Sequence, residues 1–430
     1  MTRRRVVITG QGLVTPLGIG VASSWEGLLA GRSGIGPVTR CPTDRTRARI
    51  AGEVTGFDGE ARFGAKAAKR LALFSQYALT AAAEALQDAG VADRLPVPGE
   101  RAAVALGVGF GGLPNLEYAA DWYYGSGEGR IGPFFIPMLV PNMAAANLAI
   151  RYGIQGPSLS PAAACASGAQ AVGEAYELVA SGRADAALAG GAEATITPLA
   201  LLGFAIMRAL SSRNDEPTRA SRPFDGARDG FVLAEGAGVL LLETLAGARR
   251  RGAPIHAEIV GYGATGDAHH LTASTPDGSG PARCMALALQ AAGLPAEAVD
   301  TINAHATSTP DGDAAEAAGI RLLLGEARLG RVPVTAAKGA LGHTLGAAGA
   351  IEAVLTSLSL ERGVIPPILN LEDLGQPGRP GEAPPVCELG LDYVRERPRP
   401  FDGEVALSNS FGFGGTNACL VLRRWDERHG

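Results

Sequence analysis

Along this chain, short runs of consecutive apolar residues give way repeatedly to stretches in which apolar residues recur every three or four positions. Residues 6–8, 102–108, 186–190 and 238–242 read as strands, as do 255–261, 301–304, 332–336 and 405–408. Helical periodicity occupies 65–89, the run after residue 165, 281–292, 313–324 and 347–360. Alternating strands and helices predict an α/β protein with mainly parallel sheets covered by helices. The clearest helix follows Cys165. Ala169, Val172, Gly173, Tyr176, Val179 and Ala180 repeat at helical spacing, Gln170, Glu174 and Glu177 fall elsewhere, and Ser181-Gly182 supplies the stop. Cys165 therefore stands where the chain turns into a helix N-terminus. Unpaired N–H groups there are expected to lower its pKa and favour the thiolate.

Composition narrows the class. A chain of 430 residues with 46% hydrophobic residues and 60 glycines suits a large α/β core with tight turns. No run reaches the roughly 18 apolar residues that a membrane span needs. The basic start Thr2-Arg3-Arg4-Arg5 precedes an apolar stretch broken at Gly10-Gln11-Gly12 and Pro16, so a first strand is expected there rather than a signal peptide. Cysteines at 41, 165, 284, 387 and 419 follow neither a metal nor a disulfide spacing, which suggests a reducing, cytoplasmic setting. A net charge of −5 argues against non-specific nucleic-acid binding. Of 38 Lys plus Arg, only Lys66, Lys69 and Lys338 are lysines. An ammonium differs physically from a guanidinium, so Lys338, inside a glycine-rich motif, reads as a position where arginine would not serve.

Three further motifs lie downstream of Cys165: Asn303-Ala304-His305-Ala306-Thr307-Ser308-Thr309-Pro310, Lys338-Gly339-Ala340-Leu341-Gly342-His343-Thr344, and Asn409-Ser410-Phe411-Gly412-Phe413-Gly414-Gly415-Thr416-Asn417. Each follows a predicted strand, and the glycines permit close backbone approach to a ligand. A helix-start cysteine with two such histidines points to nucleophilic catalysis. Other candidates carry less. Gly107-Val108-Gly109-Phe110-Gly111-Gly112 fits a dinucleotide fingerprint literally, but no ribose-binding acid follows at the next strand. His269 and His270 lack further ligands at metal spacing and read as structural or channel-lining; His256 and His429 carry no signal. Asp313 and Glu316 open a predicted helix and read as dipole partners.

With these motifs in order, joined by Arg208-Ala209-Leu210-Ser211-Ser212-Arg213-Asn214-Asp215 and Ser221-Arg222-Pro223-Phe224-Asp225, the chain resembles the elongating β-ketoacyl-acyl-carrier-protein synthases essentially end to end. The resemblance implies a thiolase-like α-β-α-β-α fold of two related halves. No clean internal repeat is visible; the turn at 249–254 is the expected boundary, giving halves 1–252, with the nucleophile, and 253–430, with the histidines. The glycine- and proline-rich stretch at 375–385 is expected to be a surface loop.

The family's chemistry implies roles for particular residues. Cys165 would take an acyl group, and His305 and His343 would hold the malonyl thioester oxygen during decarboxylation. Lys338 paired with Glu352 would orient the histidines. Backbone N–H groups of Cys165 and Phe413, with Gly412 and Gly414 allowing the geometry, would form the oxyanion hole. Thr307, Thr309, Thr272 and Phe411 would meet pantetheine or substrate, while Phe110 and Phe204 would line an acyl pocket favouring short or medium primers. Lys66, Lys69 and Arg70, with Arg130 and Arg208, would dock an acidic acyl carrier protein. No metal or separate cofactor is implied, since substrates arrive on the carrier's phosphopantetheine, and a homodimer is expected. Ala306, Pro161-Ala162-Ala163-Ala164 and Leu233-Ala234-Glu235-Gly236 depart from the commonest family pattern and leave primary or specialised metabolism open. Two rivals are a catalytically silent chain-length partner subunit, which should lack the nucleophile, and a cysteine hydrolase, which needs a base paired to the thiol.

Overall fold

A computed structural model describes residues 3–126, 131–375, 386 and 389–427. Among these residues, eleven strands form the path of one large sheet. The first half supplies β1 (Val6–Thr15), β2 (Ala102–Gly107), β3 (Ser158–Leu159), β4 (Ala186–Glu193) and β5 (Gly236–Thr244). The second supplies β6 (Ala257–Gly266), β7 (Thr301–Asn303), β8 (Pro333–Thr335), β9 (Asp392–Tyr393), β10 (Val405–Gly412) and β11 (Thr416–Arg424). Their order is β9-β8-β7-β10-β11-β6-β1-β5-β4-β2-β3, with Gly18–Ile19 paired beside β1. The halves meet where Val6, Val7 and Ile8 of β1 pair antiparallel with Ile259, Glu258 and Ala257 of β6.

The sheet folds back so that its halves enclose two helices, α2 (Ser167–Ala180) and α5 (Ala348–Arg362). Both helices are buried on nearly all sides. Their Val172, Val179, Val354 and Leu358 share one core with Val6, Leu242 and Leu420 of the surrounding strands. Outer helices seal the other faces. Against the first half lies α1 (Leu73–Asp88), packing Tyr77 and Leu86 on Val104 and Leu188. Against the second lie α3 (Ser279–Ala292) and α4 (Pro310–Leu324), packing Met285 and Ile320 on Ile302 and Leu407. Burying sheet on both faces produces the five alternating layers that the resemblance implies.

Three expectations need correction. The sheet is mixed rather than mainly parallel: β1–β5, β4–β5, β1–β6, β6–β11 and β10–β11 are antiparallel. The turn at Phe413–Gly415 is too short to be a parallel crossover, so β10 and β11 form a hairpin. The helical pattern at 65–89 is broken into Ala65–Ala68 and Leu73–Asp88. Between them Gln76 Nε2 donates to Ala68 O at 3.2 Å and Leu71 O at 2.9 Å, satisfying carbonyls that a continuous helix would use. Strand β1 continues past Gly10-Gln11-Gly12 to Thr15, absorbing the interruption in a register shift between Ile8 and Gly10. Most of the predicted loop at 375–385 lies outside the described residues.

The halves repeat one construction at the site. Strand β3 runs parallel to β2, then a tight turn at Ala164–Ala166 leads into α2; β8 runs parallel to β7, then a turn at Leu345–Ala347 leads into α5. Each turn carries a non-glycine residue at left-handed φ, Ala164 at 48° and Leu345 at 47°. Such conformations cost on the order of 1–2 kcal/mol and persist where the surroundings enforce them. One turn holds Cys165, and the other follows His343.

Candidate active site

Cys165, His305, His343 and Phe413 converge on one cavity of about 460 Å³, which also touches Phe110, Phe204, Thr272, Thr307, Thr309 and Phe411. The ligand atoms of Cys165, His305 and His343 all lie within 4.8 Å of one another, and all three residues are buried. The imidazole planes stand nearly perpendicular, 82° apart with centroids at 5.4 Å.

Hydrogen bonding sets the histidine tautomers. Nδ1 of His343 accepts the backbone N–H of Leu345 at 3.3 Å, so its proton sits on Nε2, which is buried with no partner among the described residues. Nδ1 of His305 lies 3.3 Å from Lys338 Nζ, an obligate donor when charged, which again places the proton on Nε2. Burial, followed by the nearby Lys338 charge, holds both imidazoles well below their ordinary pKa. Two neutral rings thus present N–H groups to the cavity. The Cys-His-His set is compact enough for a metal ion, but these tautomers leave no lone pair on Nε2, and a metal-ligating histidine instead donates its remote N–H outward. The arrangement fits hydrogen-bond donation to an oxyanion better than metal coordination.

Lys338, 2% exposed, touches Glu352 Oε1 and donates to His305 O at 2.6 Å. Burial pushes the Glu352 carboxyl up to about 7, against the pull of the Lys338 charge. Glu316 holds the other side of the His305 loop, accepting from His305 N at 2.8 Å, Ala306 N at 2.7 Å and Asn409 Nδ2 at 3.1 Å. Asp313 accepts from Ser308 N at 3.0 Å and Phe224 N at 2.7 Å. Both acids are buried clamps on the histidine loop, a more specific task than the dipole role expected of them.

Cys165 corrects a further expectation. Burial pushes its thiol up to about 11, outweighing the Lys338 charge and the backbone N–H groups of Phe413 and Cys165 that pull it down. The helix start is present, but removing the sulfur from water dominates. Those same two N–H groups are the ones expected to form an oxyanion hole, and Gly414, at φ 81°, turns the chain beside Phe413.

Around this centre, Phe204 is buried and meets Phe110, Phe231 and Phe413 edge-on or tilted, with centroids 6.0, 5.2 and 6.5 Å away. Phe110 is 46% exposed, so its ring reaches both the cavity and the molecular surface. The hydroxyls of Thr307 and Thr309 are 3.0 Å apart at the cavity wall. Thr272 is exposed, and His270 Nδ1 accepts its N–H at 3.2 Å, a structural task for that histidine. Lys66, Lys69 and Arg70 are exposed; the Arg70 guanidinium stands 4.5 Å over the Phe134 ring. Arg208 is exposed at the cavity mouth, and Arg130 lies outside the described residues. Sequence reasoning missed Glu193, which is fully buried and accepts the N–H groups of Gly109, Phe110, Gly111 and Gly346. The glycine-rich 107–112 segment thus spends its amides on an internal carboxylate rather than on a dinucleotide. The available signal was a lone acid closing the apolar run of β4.

Comparison with known proteins agrees with this geometry. The family described as "Beta-ketoacyl synthase, N-terminal domain" matches residues 3–248, and "Beta-ketoacyl synthase, C-terminal domain" matches 256–372. The 3-oxoacyl-[acyl-carrier-protein] synthase 2 of Vibrio cholerae is 45% identical, covering 99% of this chain and 100% of its own. That of Staphylococcus aureus is 42% identical, covering 98% and 99%. A β-ketoacyl synthase from Burkholderia phymatum superposes with a TM-score of 0.88 at 38% identity, covering 98% of this chain and 100% of that one. A type II polyketide ketosynthase solved with its acyl-carrier protein superposes at 0.87 and 33% identity, covering 99% and 100%. With both family domains matched in order and relatives aligned over nearly the whole chain, this protein belongs to the β-ketoacyl synthase family.

Proposed function

We propose that this chain is a β-ketoacyl-[acyl-carrier-protein] synthase of fatty-acid biosynthesis, an acyltransferase that performs a decarboxylating condensation. Cys165 takes the acyl group from its carrier by thioester exchange. Malonyl-carrier protein then loses carbon dioxide, and the electron pair released becomes an enolate whose oxygen accepts from Nε2–H of His305 and His343. The enolate carbon attacks the Cys165 thioester, and the N–H groups of Cys165 and Phe413 receive the tetrahedral oxyanion. Collapse breaks the carbon–sulfur bond, returns the Cys165 thiolate and leaves a β-ketoacyl chain on the carrier. Preorganised donors aimed at developing charge are usually the largest single contribution to such rates.

The observation that carries this reading is the thiol beside two neutral imidazoles whose outward N–H groups are fixed by Lys338 and Leu345. A silent chain-length partner has no use for Cys165, and a cysteine hydrolase needs an imidazole that accepts, not donates. Substrates bring their own phosphopantetheine arm, so no resident cofactor is required. The carrier protein docks at Lys66, Lys69, Arg70 and Arg208, of which Arg208 stands at the cavity that Thr307 and Thr309 line. The two halves divide near Gly252. Exposed Tyr118, Tyr124, Ile150, Leu199 and Ile206 favour a homodimer, and the free thiol chemistry favours the cytoplasm. The test is Cys165→Ala with malonyl-carrier protein: carbon dioxide release persists because the histidines carry that step, while condensation stops. Condensation at the wild-type rate would refute the assignment.

A further inference from the structure

We infer that Glu193 is a positioning residue that couples the acyl-pocket wall at Phe110 to the His343 turn across the two halves. The inference rests on the condensing activity proposed above. Glu193 closes β4 in the first half, and its side chain is 0% exposed. One carboxylate oxygen accepts from Gly109 N at 2.8 Å and Gly346 N at 3.2 Å. The other accepts from Phe110 N and Gly111 N, each at 3.2 Å. Among the described residues it forms no ion pair; backbone amides are its partners, and burial still pushes its carboxyl up to about 7 against their pull.

Two properties make this a coupling and not a local brace. Gly346 follows Leu345, whose N–H fixes the tautomer of His343, and Phe110 is the ring expected to limit the acyl pocket. The two loops also touch directly. A Cβ on Gly346 would stand 2.4 Å from Gly109 N and 2.8 Å from Glu193 Oε2; one on Gly109 would stand 2.5 Å from the same oxygen. Neither loop can shift without moving the carboxylate or the other loop. An acyl chain that displaces Phe110 therefore changes the aim of His343.

Glu193→Gln is the direct test, because a carboxamide accepts through one oxygen only and turns an NH2 group toward N–H donors. Measured on the full-length protein, kcat for malonyl-carrier decarboxylation should fall about 10²-fold, the cost typical of a misplacement near 1 Å. KM for malonyl-carrier protein and the alkylation rate of Cys165 by iodoacetamide should stay within about twofold. A second readout is the dependence of decarboxylation on the length of the acyl group loaded on Cys165, which should be present in the wild type and lost in the variant. If Glu193→Gln fails to fold, Glu193→Asp keeps the charge, cannot span both loops, and should show the same split. Unchanged kcat and an intact length dependence would overturn the inference, as would a proportional fall of decarboxylation and alkylation together. A wild-type protein that releases no carbon dioxide would instead refute the functional reading beneath it.

Discussion

Lys338→Met tests how the histidine pair is held. Lys338 Nζ has three partners in the folded protein: Glu352 Oε1, His305 O at 2.6 Å and His305 Nδ1 at 3.3 Å. Methionine fills similar volume and supplies none of them. Removing one member of a buried ion pair costs about 3–5 kcal/mol because the other charge is left behind. Here Glu352, already pushed up to about 7 by burial, can take a proton, so a loss at or below the lower end of that range is expected in denaturant unfolding. The catalytic effect should be larger in proportion. Without the ammonium, His305 Nδ1 has no donor and its proton is no longer confined to Nε2. Losing one oxyanion donor costs about 10²–10³-fold in kcat. His305 is also released from one of the charges that depress its pKa, so that pKa should rise, while burial, the larger cause, still holds it below the ordinary value. The assay is carbon dioxide release from malonyl-carrier protein, with Cys165 alkylation as the control for a folded pocket. Lys338→Arg should also slow release, since a planar fork cannot reproduce the three contacts. Decarboxylation within about twofold of wild type in either variant would refute the reasoning.

Phe110→Ala should extend the accepted acyl chain while leaving malonyl decarboxylation within a few-fold of wild type, read with a ladder of acyl-carrier proteins; efficient use of a long saturated primer by the unmodified protein would contradict it. His256 sits between Asp88 and Glu361, at 2.9 and 3.0 Å, and these carboxylates raise its pKa to about 9 against burial. A folded pKa above the unfolded one stabilises fully below pH 6.5 and is lost as pH rises through about 9, so Tm should fall across that window and His256→Gln should flatten the fall. Charge reversal at Lys66 and Lys69 should raise KM for carrier-bound substrate several-fold at low salt and much less at high salt, because exposed charges mainly steer encounter.

Much of the site was legible because its motifs are local. The helix after Cys165 is written in its periodicity, His305 stands just past β7, and His343 follows β8 across the helical turn Lys338–Leu341. What was not legible depends on distance. Glu193 meets partners 84 and 153 positions away, all of them backbone N–H groups that leave no trace in side-chain identity. The helix-start argument for Cys165 was sound locally and failed because burial, set by the whole fold, outweighs it. Strand direction failed for a related reason: periodicity marks a strand but not its partner, and the β1–β6 pairing that joins the halves links positions near 7 and 258. The break at 69–72 came from Gln76 reaching back to Ala68 and Leu71, a competition that propensity does not reveal.

The central claim is that Cys165 carries the acyl group and that the enolate generated beside it extends that group. The direct measurement is a two-stage mass analysis of wild-type protein, first with acyl-carrier protein alone and then with malonyl-carrier protein added. The first stage should place one acyl adduct on the peptide containing Cys165. The second should remove it, with release of carbon dioxide and a β-ketoacyl-carrier protein whose chain is two carbons longer. An adduct on Cys41, Cys284, Cys387 or Cys419, or loss of the acyl group as free acid with no β-ketoacyl product, would contradict the account.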